Sequence, residues 1–550
     1  MTIKRSLLLA LFGTSLLLNA QDEKVRWKTY TGTEKNQDGG FWYHKFVKGD
    51  AGSIVGLRVL TKSPVIGGMN QVSIDRTLVA FQLDGMKEVK ADKTKLLWGE
   101  GPVSVETIEH FNKQFRVIAS KADPETGKLL VIQQVLGPRS LTGKGAELLA
   151  EIPFDRLGKT NAYFKPNITV GFTTLVSVDS TKMLLQLTPE STVHSAGCPI
   201  YAHLFDKEMK SLWWNKLSPD PGAKSSRIMS TKVDPTGAVW YLIKNVSDPD
   251  PKTKGEAGYN WSIYRLDSAG QTTALLDLPG SEFVQDARMD MRLNGTITVA
   301  GVYSDAEMDR NVSVGVFQCT VNGAGKEPKF DGFKLYPFAK RIEGKEEKPQ
   351  VNMIMDRLLL KKDGGTFVIA RKSGEETHYV SDLSGKKTPK TEQVDGAIHI
   401  FELAADGSQK WYKQLEREMG SANNALGQIL PMVYENNLLL LLNDAEGNIE
   451  KRKQKLPIAP VDDFKDAILV EYKSDGTDKS KVVLTEPRRL GIVAGSAWQP
   501  TAGLVVLLAS LMLLAVAILL IVVTQRFCEV LEVEEPPPVS HYPPPRPAVG

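Results

Sequence analysis

Residues 395–415 read DGAIHIFELAADGSQKWYKQL. Ala397, Ile398, His399, Ile400, Phe401 and Leu403 form a β-type run with partial apolar alternation. Asp406-Gly407 is a turn signal, because Gly takes positive φ without steric cost and Asp bonds its own backbone. Trp411, Tyr412 and Leu415 open the next run. The phrase returns in altered spelling at 466–484, 261–278, 76–89 and 312–330, turning at Asp475-Gly476, Gly270, Asp84-Gly85 and Asn322-Gly323. Looser versions stand at 198–217 and 128–152.

A second phrase precedes each of these, a hairpin with a polar turn. It turns at Pro235-Thr236-Gly237 in 229–245, at Asn294-Gly295 in 287–303 and at Asp363-Gly364-Gly365 in 354–372. Further copies turn at Glu435-Asn436-Asn437 and near Asp179-Ser180, and degenerate copies stand at 52–62 and 114–124. Two hairpins per unit make four strands per unit, recurring at roughly the 50–80-residue spacing of large repeats. Many short strands at even spacing predict an all-β chain. A repeated four-stranded unit predicts a WD40-like β-propeller. Seven copies predict about seven blades, with six or eight open. Two or three stacked β-sandwich domains are the competing architecture.

The GSQKW turn resembles the Gly-x-x-x-Trp turn of quinoprotein-type (PQQ-like) propeller repeats. In that family Asp and Gly form the turn, and Trp docks on the next blade. Asp406, Gly407 and Trp411 match. The copies at Gly127, Gly270 and Gly476 carry Val131, Ala274 and Ser480 where Trp would stand. The resemblance covers the repeat style, with Gly85, Gly270, Gly407, Trp411 and Gly476 as repeat-turn residues. It implies no quinone, and no cofactor or metal is expected.

Residues 1–20 fit a secretory signal peptide: Lys4 and Arg5, then an apolar core from Leu7 to Leu18, then Asn19-Ala20. Residues 502–524 are long and apolar enough to cross a bilayer, with Ser510 and Thr524 the polar members. Together they predict a single-pass membrane protein with residues 21–490 extracytoplasmic, in the periplasm or at the cell surface, a linker at 491–501 and a cytoplasmic tail at 525–550. The tail is proline-rich and favours polyproline II. Its Pro544, Pro545, Arg546 and Pro547 form a candidate docking peptide for an aromatic groove.

Sixty-eight basic residues stand against 65 acidic ones, so nucleic-acid binding has no electrostatic support. The three cysteines, Cys198, Cys319 and Cys528, exclude a disulfide-rich module. No HExxH, CxxC or GxSxG occurs. Weaker chemical candidates are His194 with Cys198, Asp248 with Asp250, the acidic run Asp305, Glu307 and Asp309, and His399. Each reads more simply as loop or core. Trp213 and Trp214 are adjacent, so a strand turns them to opposite faces. These features predict a non-enzymatic binding or scaffolding module, taking protein or glycan partners on the loops of one face. A propeller-type glycan hydrolase is the alternative, and converging carboxylates at the ring's centre would mark it.

Overall fold

The computed structural model describes residues between Phe41 and Leu484, with breaks of which 155–169 is the longest; residues 1–40 and 485–550 lie outside the described set. The signal peptide, the apolar segment 502–524, Gly85 and the tail prolines therefore fall outside it. Among the described residues, no helix is long and apolar enough to cross a membrane.

Among those residues, seven antiparallel sheets follow one another, each a meander of four main strands. They are blades 1–7, with first strands Phe41–Lys48, Ser104–Phe111, Val170–Val176, Ser225–Val233, Glu282–Met291, Met353–Leu360 and Ile429–Tyr434. The second phrase supplies strands 1 and 2 in blades 3–7, and the first supplies strands 3 and 4 throughout; in blades 1 and 2 the degenerate copies at 52–62 and 114–124 are strand 2 alone, and strand 1 lies before them at Phe41–Lys48 and Ser104–Phe111.

The sheets stack because both of their faces are apolar. In blade 4, Val239, Tyr241 and Ile243 pack toward blade 3, while Trp240 and Leu242 pack toward blade 5. In blade 6, Val368 and Ala370 face blade 5, whereas Phe367 and Ile369 face blade 7. A sheet buried on both sides reads as an unbroken apolar run such as VWYLI. One apolar core fills each consecutive pair, from blades 1 and 2 through blades 6 and 7. First strands of successive blades adjoin one another, and fourth strands lie at the exposed rim. This is the blade arrangement of a β-propeller, not of separate sandwiches.

Blade-to-blade docking uses the strand 3–4 turns. Trp411, on the fourth strand of blade 6, lies against Gly476 in the turn of blade 7 and stacks on Tyr472 at 5.8 Å. Gly476 has φ +81°, and an added Cβ would sit 3.1 Å from the indole. The equivalent Gly407 has φ +76°, and its carbonyl accepts from the Tyr336 hydroxyl of blade 5 at 2.5 Å. Asn215 of blade 3 likewise donates to the Asp267 carbonyl of blade 4 at 2.9 Å. At the turn after Asp267, Gly270 has φ +132° and nothing near its Cβ position, so there glycine answers to the backbone alone. Asp267, Asp406 and Asp475 each accept from a backbone N–H two residues on, which fixes the turns.

Strands alternate in direction, so turns 1–2 and 3–4 lie at one end of the sheets. Connections 2–3 and those between blades lie at the other. The first end carries mostly short turns; its longest connection is 137–146 of blade 2, where Leu141 is buried and Gly143 bridges to Leu136. The second carries the additions: a ribbon at Val65–Ile66 and Met69–Asn70, another at Arg341–Glu343 and Glu346–Lys348, and helix α1 at Glu446–Lys453. Polar and charged as they are, residues 371–381 and 387–393 continue strands 2 and 3 of blade 6 (Thr366–Ser381 and Lys387–Leu403) as a two-stranded arm.

Two outcomes follow for stability. Trp411→Ala in the purified protein should cost on the order of 3 kcal/mol in urea unfolding. Trp214→Ala, at an exposed rim position, should change it by no more than about 0.5 kcal/mol. Acid should also weaken the fold through His399, which is fully buried against Phe338 and Tyr412. Burial pulls its pKa down from 6.5 to about 4. The unfolded chain therefore takes up this proton first as the pH falls. The contribution is complete above pH 6.5 and is lost progressively down to about 4, up to about 3 kcal/mol. Thermal unfolding across that window should be less pH-dependent in His399→Gln.

Candidate functional site

The most elaborate part of the additions end belongs to blades 6 and 7, and its chemistry begins with a β-bulge. Five of the seven first strands shift register early in their length, between Tyr43 and Lys45, Val105 and Thr107, Ile228 and Ser230, Val284 and Asp286, and Met355 and Arg357. A bulge leaves one residue unpaired and re-aims its side chain. In blade 5 that residue is Gln285, which donates to the Val312 carbonyl and accepts from the Ser313 hydroxyl, fixing the connection above it. In blade 6 it is Asp356.

Asp356 accepts from Nε of Arg371 at 2.7 Å. The same guanidinium donates through Nη1 to Asp395 at the root of the arm. Arg417, buried in the link between blades 6 and 7, lies in the field of Asp395, Asp444 and Asp356. Burial, together with the neighbouring Arg371, pulls its pKa down to about 10, and the three carboxylates oppose that fall. Asp444, at the end of the second strand of blade 7, accepts from Arg452 of α1 and from the Asn448 amide at 2.8 Å. Three carboxylates thus face three guanidiniums in one group, buried except at the partly exposed Arg452. It joins the first strand of blade 6, both strands of the arm, the link to blade 7, and α1. Among the described residues, Oδ2 of Asp356 has no hydrogen-bond partner.

Helix α1 depends on this group. EGNIEKRK has no apolar stripe, and only Asn448 is buried. Asn448 bonds Asp444 and both backbone groups of Ala459, while Arg452 reaches back to the Glu416 carbonyl at 2.7 Å. Glu446 in the first turn and Lys451, Arg452 and Lys453 in the last suit the helix dipole.

A second polar feature stands at the same end between blades 4 and 5. The Lys244 ammonium lies 3.6 Å from the centre of the Tyr259 ring and donates to the Gln285 carbonyl at 3.1 Å. Burial, with Arg227 and Arg288 nearby, brings its pKa down to about 8 against the pull of Asp286. Nothing in the sequence around Lys244 signals this.

The residues singled out by sequence are not brought together. Gly270, Gly407, Trp411 and Gly476 lie at the tight-turn end, where they join blades. His399 is core, with Nδ1 2.7 Å from the Tyr412 hydroxyl. Asp305 ends the second strand of blade 5, and Glu307 and Asp309 lie outside the described residues. Asp248 pairs with Lys224 at 3.5 Å on the surface, and Asp250, His194 and Cys198 also lie outside the described residues. Cys319 is a free, buried thiol, and burial pushes its pKa up. Trp213 packs between blades 3 and 4, while Trp214 on the opposite face is 49% exposed and stacks on Tyr201. Among the described residues no cluster of His, Cys, Asp and Glu is arranged to hold a metal. Three aspartates on the first strands of blades 5 and 6 are committed to cations: Asp286 to Arg288, Asp290 to Lys232, and Asp356 to Arg371.

Removing one member of the buried group strands the others in a low-dielectric site. Arg371→Met should therefore destabilise the protein by about 3–5 kcal/mol in urea unfolding. Arg371→Lys should not restore it, because one ammonium cannot span carboxylates on two strands as the guanidinium fork does.

No family model matches the chain. No curated protein matches it either. Among solved structures it is similar to the β-propeller domain of the Trilobed protease from Pyrococcus furiosus, at 13% identity over 69% of this chain and 95% of that one, TM-score 0.29. It is similar to the WD40 domain of SCAP from fission yeast, at 10% identity over 81% and 87%, TM-score 0.31. Prolyl oligopeptidase B from Galerina marginata is matched at 10% identity over 81% of this chain and 51% of that one, TM-score 0.36.

Proposed function

We propose that this protein is a membrane-anchored, extracytoplasmic binding or scaffolding module that takes a protein or glycan partner on the additions end of its blades. One observation carries this reading. The two ribbons, helix α1 and the arm of blade 6 all lie at one end of the stack, and the arm is rooted in a group of six charges, five of them buried. Such a group contributes little net stability, because desolvation offsets attraction, but it holds its members in one arrangement. Loops and arms held rigidly above a scaffold are where recognition concentrates.

The anchor adds a direction. The last described strand, Asp478–Leu484, runs toward the additions end, so the chain leaves for 502–524 from that side. A span there would turn the arm and α1 toward the membrane, and the partner would be membrane-proximal. The hydrolase alternative gains little from the geometry, since Asp286, Asp290 and Asp356 on the first strands of blades 5 and 6 are already paired with cations.

Replacing 375–393 by an Asn-Gly turn in the full-length, tagged protein tests the reading. Cross-linking in intact cells should capture a small set of stoichiometric partners with the native protein. The shortened variant should lose them while its melting temperature stays within a few degrees. Partners retained without the arm would move the binding site elsewhere, and no partners at any cross-linker length would end the scaffold reading.

A further inference from the structure

Blade 4 ends differently from the other blades. Six of the seven fourth strands carry lysine, aspartate or glutamate, and in each of those six blades the pairing of strands 3 and 4 is broken by a register shift. Charges and bulges are the usual protections of an exposed strand edge, because they stop a further strand from pairing there. The fourth strand of blade 4, Gly270–Leu275, has neither. It reads GQTTAL, without a charge or a proline. It pairs with the third strand in unbroken register, from Ser262 opposite Leu275 to Asp267 opposite Gly270. Among the described residues no strand lies outside it.

The phase of the ladder fixes which backbone groups are left over. The Leu276 N–H donates to the Trp261 carbonyl at 2.8 Å, next to the pair of Ser262 and Leu275. Bonded residues alternate along an antiparallel pair, so Thr272 and Ala274 bond the third strand. Gln271, Thr273 and Leu275 therefore turn their N–H and C=O groups outward. The surroundings of this edge are apolar. Phe330, Phe333 and Leu335, on the fourth strand of blade 5 (Lys329–Pro337), pack against the same core as Ala274 and are only half buried. Phe330 and Phe333 lie 6.3 Å apart, ring to ring. The six-residue strand of blade 4 does not fully cover the nine-residue strand of blade 5. On its other face Leu275 is 57% exposed. Two residues on, Asp277 is exposed and has no ion pair among the described residues.

We infer that the fourth strand of blade 4 is a docking edge for an extended segment of a partner protein, which adds to the blade as a fifth, antiparallel strand. Main-chain bonds to Gln271, Thr273 and Leu275 hold it. Alternate apolar side chains of the incoming strand cover Phe330 and Phe333, and a basic residue at its start meets Asp277. A second copy of the chain fits less well. Two such strands paired antiparallel about a two-fold turn the two molecules end for end. Their last strands would then leave in opposite directions, which two chains anchored in one membrane cannot do. That choice of occupant rests on the anchored reading; the open edge itself does not, and it is independent of the arm.

The test uses the full-length protein in detergent and a seven-residue synthetic peptide, arginine followed by alternating valine and threonine. With peptide bound, the amides of Gln271, Thr273 and Leu275 should exchange roughly tenfold more slowly, and the fourth strands of the other blades should not change. Glutamate in place of each valine should abolish the effect. Thr273→Pro removes one outward N–H and no ladder bond, so it should weaken peptide binding about tenfold while the melting temperature stays within a few degrees. Thr272→Pro removes a ladder bond and should lower the melting temperature instead. No slowing at millimolar peptide, or equal binding by the native protein and Thr273→Pro, would overturn the inference. Slowing that rises with protein concentration without peptide, and is lost in Thr273→Pro, would give the edge to a second copy and overturn the assignment to a partner. Partner capture through the arm stands or falls separately, since these substitutions leave blade 6 untouched.

Discussion

A sheet with two apolar faces cannot stand alone in water, and that constraint organises this protein. Val239 to Ile243 expose alternate side chains to blade 3 and to blade 5, and each set is buried only because a neighbouring sheet covers it. Covering one face of the neighbour leaves its other face bare, so the stacking continues from blade to blade. The turns carry the same dependence to the rim. Gly407 and Gly476 leave room for a side chain of the preceding blade, and their positive φ keeps the turn tight beneath it. On the side of the last described blade that faces away from blade 6, Leu439, Leu441 and Leu469 are buried as well.

Against this apolar stack, the six charges beneath the arm, all but Arg452 buried, stand apart. Their benefit is positional. Asp356 is aimed by a bulge, Arg371 reaches across two strands, and Asp444 ties α1 to the same group. A bulge at the corresponding place in other first strands serves other ends: Gln285 uses it to fix the connection through 312–313. One backbone device thus recurs around the blades while its side chain is chosen blade by blade. That is how a repeat architecture acquires one distinctive side.

The sequence alone carried the repeat, because a strand's period of two and the Gly, Asp and Asn of its turns are local properties. The hairpin phrases and the count of seven were legible on those grounds, except the first strands of blades 1 and 2; the docking of Trp411 on the next blade came from the resemblance of its turn to a known repeat. The arm and α1 were not. The arm is polar and charged, which reads as loop, and only its paired backbone makes it sheet. Helix α1 has no apolar stripe, and a turn or two of helix without one is set by its partners, here Asp444, Asp466 and Ala459. The buried charges were illegible for the same reason. Asp356, Arg371, Asp395, Arg417, Asp444 and Arg452 span nearly 100 positions, and their encounter depends on how blades 6 and 7 stack. What short-range periodicity determines, the sequence by itself determined: an all-β chain of seven repeated units. What depends on distant residues meeting in a low-dielectric interior, only the tertiary structure decided: which end of the blades is elaborated, and what holds it in place.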